Sequence, residues 1–397
     1  MTPTNGSSAS GSSANLNVCL IGYKFMGKAH SQAWQTVGRF FDLDAQPVMK
    51  VVCGRDAAAV GEFANRWGWE SSSADWKAAV GRDDVDAVDI AAPGNVHCEI
   101  AVAAAEAGKH VFCEKPLTFT VADGKKMLAA VRAAGVKHMV NFNYRVCPAV
   151  SLAKQMIDAG EIGEIRHVRC TYLQDWLVDP QFPMNWRLRK EAAGSGAHGD
   201  LGAHSIDLAR FLAGEIAEVV GMTKTFITER PAEGTSSGLT ATAGEGVENV
   251  TVDDTSVFLA KFANGATGNF EATRLAPGRK NYNRFEINGS KGSLVWCFED
   301  LNVLEFYSTI DASTRQGFRR IIATEGDHPY AGNWWPPGHM LGYEHGFSHA
   351  AYNLTQAIAN DRPCSPDFHD GAQCVAVLEA VEQSQVSGSW ADVEMII

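Results

Sequence analysis

The chain has 397 residues, 45% of them hydrophobic and 20% charged, and a formal net charge of −12. That length exceeds one small core and suits two domains, while the acidic balance argues against nucleic acid, which needs a basic footprint. Nine cysteines without C-x-x-C spacing read as reduced thiols of a cytoplasmic protein, and no apolar run approaches a membrane span, so no membrane partner is expected.

Residues 1–15, MTPTNGSSASGSSAN, lack the basic and apolar regions of a signal peptide and are expected to form a flexible tail. LNVCLI (16–21) is a short apolar run ending at Gly22 and reads as a buried parallel strand. MGKAHSQAWQTV then reads as a helix, VMKVVC (48–53) as a strand and AAAVGEFANRW as a helix. VDAVDIAAP (85–93) predicts a third strand, followed by the Ala-rich helix HCEIAVAAAEAG with Gly108 as its stop. HVFCEKP (110–116) and VKHMVNFN (136–143) are strands flanking a further helix. Strand–helix alternation over this span implies a parallel sheet with right-handed crossovers.

The texture changes after about 145. AVSLAKQMIDAG is amphipathic, IRHVRCTYLQDW is strand-like, and a helix is expected around 200–212. AEVVGMTKTFI, TSVFLAKF, ATGNFEATR, NRFEING and GSLVWCFE read as strands, with Asn264-Gly265 and Asn288-Gly289 as hairpin turns. Residues 231–249 are expected to be a polar Gly/Thr/Ser loop, and two helices close the chain. The expected fold is an α/β N-terminal Rossmann domain over 16–142 and an α+β C-terminal domain over 143–397, with a large, mostly antiparallel open sheet.

The stretch from Gly22 to Ala29 half-matches two phosphate-binding patterns. As G-x-x-x-x-G-K it is nearly a P-loop, but Ala29 stands where Ser or Thr would hold Mg²⁺. As G-x-G-x-x-G it has Lys24 in place of the second glycine. The strand before it and the helix after it favour the dinucleotide pattern. Gly22, Tyr23, Lys24, Phe25, Met26 and Gly27 are then expected to meet the cofactor, with pyrophosphate over the helix N-terminus. Lys24 should hinder close backbone approach unless its side chain turns outward or reaches the cofactor's charge. After the second strand, Asp56 leans towards NAD and Arg55 towards NADP, so NAD is expected with NADP still open. The histidines form no ligand-spaced set, and no metal is expected.

IGYKFMGKAHS, AAPGNVH, AEAGKHVFCEKP, NFNYR, TYLQDW, GSGAHGDLGAHSIDL, FEATR and FEINGSKGSL occur in that order. This ordered set resembles the Gfo/Idh/MocA oxidoreductases, and most nearly their levoglucosan dehydrogenase branch. The likeness runs from about residue 16 to about 390. It departs at Lys24 and at His198, where an apolar residue is expected; His198 could alter the substrate pocket.

The resemblance implies roles. Glu114-Lys115-Pro116 is the family's E-K-P at a Rossmann strand end, where Lys115 can bond the reacting hydroxyl and stabilise alkoxide charge. Asp200 and His204, spaced i,i+4, imply a base and its orienting carboxylate on one helical face; Asp207, near that face, reads as structural. Pro93, Asn95, His97 and Glu114 are expected at the cofactor, with helix capping as the alternative for Asn95. Asn143, Tyr144 and Arg145 are expected near the cofactor–substrate cleft. Tyr172, Gln174 and Trp176 should project to one side to bind a sugar, or pack as ordinary β residues. The aromatic run NWWPPGHMLGYEH suits a substrate mouth or a subunit interface. The implied activity is nicotinamide-dependent oxidation of a secondary hydroxyl, the C3 hydroxyl of a pyranose or glycoside. The alternative is an NAD-dependent glycosidase working by transient C3 oxidation. A homodimer or homotetramer is expected.

Overall fold

The computed structural model describes residues 14–237 and 239–397. Six parallel strands open the chain: β1 (Ala14–Ile21), β2 (Ala45–Cys53), β3 (Ser71–Ser73), β4 (Ala87–Ile90), β5 (His110–Cys113) and β6 (His138–Val140). Their order is β3-β2-β1-β4-β5-β6, the doubly wound pattern with its switch point between β1 and β4. The crossovers are α1 (Phe25–Phe40), α2 (Ala57–Trp67), α3 (Trp76–Val80), α4 (His97–Glu106) and α5 (Val121–Ala134). The apolar runs of the sequence are the central strands: Val18, Cys19, Leu20 and Val88 are shut off from solvent. Helix α1 buries Gly27, His30, Ser31, Ala33, Trp34 and Val37, one face at helical spacing.

The expected tail over 1–15 lies outside the described residues except for Ala14 and Asn15. These two extend β1, pairing with Ala45 and Gln46. An edge of main-chain donors on β2 is enough to order them, whatever their side chains.

After α6 (Pro148–Asp158) come β7 (Ile165–Leu173), the single-turn helices α7 (Lys190–Ala193) and α8 (Ala197–Asp200), and α9 (Gly202–Ala213). The remaining elements are β8 (Ile216–Lys224), β9 (Glu229–Ser237), β10 (Thr240–Asn249), β11 (Thr255–Phe262), β12 (Thr267–Thr273), β13 (Tyr282–Gly289), β14 (Gly292–Cys297), β15 (Val303–Ser308), β16 (Arg319–Ile322), α10 (Tyr343–Ala359), α11 (Phe368–Ser387) and β17 (Ala391–Asp392). A nine-stranded sheet runs β16-β15-β14-β13-β7-β12-β11-β8-β17. Only the β7–β12 pair in it is parallel. Its inner face buries Val168, Cys170, Phe258, Phe270, Phe285 and Trp296 under α6, α9 and α11.

Of the stretch expected to be a loop, residues 231–237 and 240–249 are strand. They form the β9–β10 hairpin, in which Arg189 bridges Glu233 and Glu248. Its glycines hid the alternating Thr, Glu and Val residues that the backbone pairing uses. Gly265, with φ +89°, turns the β11–β12 hairpin as expected, whereas Asn288 and Gly289 end strand β13 instead of turning it. The helix near 200–212 is broken at Leu201, between α8 and α9. Two helices tie the halves together: α10 packs on α1, and α11 lies along α5 with Gly371 tight against Leu117 and Val140.

Candidate active site

The dinucleotide turn closes at Gly22, whose φ is +115° and whose added Cβ would lie 2.4 Å from the Ala91 carbonyl. A Cβ on Gly27 would lie 2.3 Å from the Gly22 carbonyl. Both positions therefore need glycine, one for the turn and one for helix–turn contact. Lys24 is the N-cap of α1, at φ −82° and with no side-chain cap bond. That φ lies outside the left-handed region that demands glycine, and the Lys24 side chain is exposed. No acidic residue occupies the first turn of α1, so its N–H groups and dipole stay available to an anion. These features fit a dinucleotide.

Around the turn, the Tyr23 ring rests on Gly54 at the end of β2, where a Cβ would meet it at 2.1 Å. Phe25 is 42% exposed and stacks on Tyr343 at the start of α10. Met26 packs on the core beneath. Asp56 caps α2 through Ala59 N, and Arg55 beside it is exposed. Pro93 and Asn95 are exposed beyond β4. Asn95 caps nothing: the N-cap of α4 is Val96, without a side-chain bond.

At the C-terminal end of β5, the Lys115–Pro116 peptide is cis. Lys115 Nζ donates to Asp200 Oδ1 at 2.8 Å and to the Asp200 carbonyl at 3.0 Å. Arg274, at the end of β12 and only 1% exposed, donates to Asp200 Oδ2 at 2.7 Å. An ammonium has three N–H groups; Asp200 takes two and leaves one for a ligand. Burial would push the Asp200 carboxyl up, but Lys115, Arg274 and Arg187 hold it well below the usual carboxylate range.

His204 lies in the first turn of α9, its ring 4.4 Å from that of Tyr144 and 5.8 Å from that of Tyr172. Burial, reinforced by Lys115 and opposed by Asp200, holds its pKa well below the ordinary imidazole value. The ring is therefore neutral and able to accept a proton. A hydrogen-bond chain runs away from it: Tyr144 and Tyr172 hydroxyls at 2.9 Å, then Tyr172 and Gln174 both to Asn281 Oδ1 at 2.8 Å, then Trp176 Nε1 to Gln174 Oε1 at 2.9 Å. Arg274 stacks over Trp176 at 5.7 Å. One wall thus offers rings and amides together, the chemistry a sugar requires.

The family pattern "Oxidoreductase family, NAD-binding Rossmann fold" matches residues 16–142, and "GFO/IDH/MocA C-terminal domain" matches residues 150–295. The levoglucosan dehydrogenase of Pseudarthrobacter phenanthrenivorans is 45% identical over 387 residues, covering 96% of this chain and 99% of that one. The chain belongs to the Gfo/Idh/MocA oxidoreductases. A crystal structure of levoglucosan dehydrogenase with NADH and levoglucosan superposes with a TM-score of 0.91 at 44% identity, over 96% of this chain and all of the other. An oxidoreductase domain protein from Kribbella flavida gives 0.92 at 52% identity, over 96% and 100%. The protein is an NAD-dependent oxidoreductase of the sugar dehydrogenase type, with NAD held by its N-terminal domain.

Several residues expected in this Gfo/Idh/MocA site do other work. Asp200 does not orient His204 by a hydrogen bond, because both its oxygens are engaged by cations and the break at Leu201 ends the shared helical face. Arg145 is 5% exposed and gives a fork to Asp207 at 2.8 and 2.5 Å; its guanidinium staples α9, and Asp207 is structural as expected. Asn143 is buried against Gly346 of α10. His97 is 1% exposed and its ring nitrogens face the carbonyls of Ala92, Pro116 and Leu117. It clamps the loop after β4 to the loop after Lys115. His198 is also interior, bonded to Ser256 Oγ and the Leu378 carbonyl, so it leaves the substrate pocket alone. The aromatic run divides: Trp334 packs on Phe40 and Phe41 at the far end of α1, and only Tyr343 reaches the site.

Arg274, Asn281 and Arg187 were missed by sequence reasoning, whereas Tyr343 lies in the aromatic run it singled out. The terminal arginine of FEATR, charged and at a strand end, was a usable signal for Arg274; nothing local marks the other two.

Proposed function

We propose that the protein oxidises a secondary hydroxyl of a pyranose or anhydrosugar such as levoglucosan, at C3. The observation that carries this is the meeting of Lys115, with one N–H to spare, and a neutral His204 at the strand edge of the dinucleotide domain. When bound, NAD accepts the hydride. Lys115 holds the reacting oxygen and favours its developing negative charge. His204 takes the hydroxyl proton. Asp200 keeps Lys115 charged and in place. Gln174, Trp176 and Tyr172 receive the sugar's other hydroxyls and its apolar face. Gly22, Gly27 and the α1 N-terminus would hold the pyrophosphate. Asp56, exposed just beyond β2 with one oxygen capping α2, favours NAD, and the exposed Arg55 beside it leaves NADP open.

The likeness to levoglucosan dehydrogenase supports a sugar as substrate, and C3 is the position implied by the ordered family motifs. Levoglucosan deuterated at C3, incubated with NAD and the protein, tests it. NADH should appear stoichiometrically with a primary isotope effect. An isotope effect from another position would reassign the carbon. Aglycone release from a glycoside without net NADH would instead make the protein a glycosidase.

The outer face of the large sheet supports a homodimer or homotetramer. Val257 and Leu259 on β11 are 48% and 51% exposed, and Met222, paired with Val257, is 56% exposed. Exposed apolar patches of this kind mark interfaces. Nine free cysteines fit a reducing, cytoplasmic setting.

A further inference from the structure

His30 sits on the buried face of α1, three residues beyond Gly27, and is 1% exposed. Its Nδ1 lies 2.8 Å from Asp89 Oδ2 and its Nε2 lies 2.8 Å from Glu114 Oε1. Asp89 also accepts from Trp34 Nε1 at 2.7 Å. Glu114 Oε1 accepts from Asn141 Nδ2 at 2.6 Å, and Oε2 accepts from the Lys115 amide at 3.1 Å. The rings of Phe112 and Phe347 close the ring of His30 in. Asp89 and Asn141 are 1% exposed and Glu114 is 4% exposed.

Two carboxylates flank one imidazole in this dry cluster. Both can stay ionised only if the ring carries both protons and donates one to each. Burial alone would push the imidazole down; Asp89 and Glu114 overcome it and raise its pKa to about 10. Burial likewise raises the Glu114 carboxyl, but His30 outweighs it and the result is lowered. Such clusters are rarely the cheapest way to stabilise a core, because apolar residues of the same volume avoid the desolvation cost. This one joins the helix that begins at the dinucleotide turn to the ends of β4, β5 and β6. Its last link is the backbone N–H of Lys115.

We propose that His30 is a positioning residue for sugar oxidation: it fixes Glu114, and through the Glu114–Lys115 hydrogen bond it sets the Lys115 ammonium against the reacting oxygen. This rests on the role proposed above for Lys115. The side chain that touches substrate is Lys115; His30 acts two links away, inside the Rossmann core.

The test compares His30→Gln, Glu114→Gln, the double variant, and Lys115→Met in the full-length protein. NADH affinity is read by fluorescence titration, and hydride transfer by single turnover of levoglucosan with NAD. His30→Gln should slow hydride transfer by up to about 10²-fold, the scale of a small misplacement of reacting groups, with NADH affinity little changed. The double variant should be no slower than Glu114→Gln alone, because both act through one link. Losses that simply multiply, or a folded His30→Gln with normal hydride transfer, overturn the proposal. Should His30→Gln not fold, Asp89→Asn replaces it: it touches His30 but not Lys115, slowed transfer supports the proposal, and an unchanged rate overturns it. Normal turnover by Lys115→Met would overturn the functional reading itself, whereas a disabled Lys115→Met beside a normal His30→Gln removes only His30.

Discussion

Lys115 and Asp200 form an ion pair across the two domains, Nζ to Oδ1 at 2.8 Å, between residues 85 positions apart. The N-terminal domain contributes the ammonium and the C-terminal domain the carboxylate, so the site exists only when the two are packed together. Asp200 keeps 34% of its side-chain surface open, and solvent in the cleft screens the pair. Its value lies in orientation more than in stability.

Replacing Lys115 with Met should lower kcat/KM by about 10²–10³-fold, the scale of one lost charge-stabilising donor, and change thermal stability little. It should also move the acid limb of the pH profile upward, because Lys115 is one of the groups that depress His204. A profile of kcat/KM against pH for both proteins checks this; an unmoved limb would mean another group titrates there.

His204→Asn should lower kcat by about 10²–10⁴-fold, the range of general acid–base help, and leave NADH affinity near that of the parent. A stability signature accompanies it. The unfolded imidazole takes up a proton near its ordinary pKa, about 6.5, while the folded one refuses it well below that value. Folding free energy contributed by this group is thus complete above about pH 6.5 and falls as pH drops. Urea unfolding of the variant should show a shallower loss between about pH 7 and about pH 5. Identical slopes would show that His204 titrates normally.

Lys24→Gly restores the usual glycine pattern and removes one charge beside Lys28 and the α1 N-terminus. Lys24 has a negative φ, so glycine is not required there for a left-handed turn. The expected result is weaker NADH binding, with the deficit shrinking at high salt. Tighter binding at both salt levels would show that the side chain only obstructs.

The exposed row on β8 and β11 predicts that Leu259→Arg shifts the oligomer towards monomer in light scattering while the fold survives, because that side chain faces outward. A parent protein that is already monomeric would remove the interface.

Much was legible in the sequence because it depends on local chemistry. Gly22 and Gly27 announced a turn that tolerates no Cβ, and apolar runs of strand length announced buried parallel strands. The resemblance carried by the ordered motifs pointed to Lys115 and His204, and the structure sets both at the strand edge beside Asp200 and Tyr144. The partnerships were not legible. Asp200 was read as the companion of His204 because the two are four residues apart, yet its oxygens face Lys115 and Arg274, which lie 85 and 74 positions away. Arg145 and His97 were read as ligand contacts from their loops, yet one is satisfied by Asp207 on α9 and the other by three carbonyls. His30 looked like one more residue on a helix face, and only the convergence of β4, β5 and α1 set it between two carboxylates. Spacing and composition decide which elements form and where chemically able side chains sit along them. Which charge each side chain meets is decided when distant strand ends converge, since a buried polar group must find its partner in three dimensions and not along the chain.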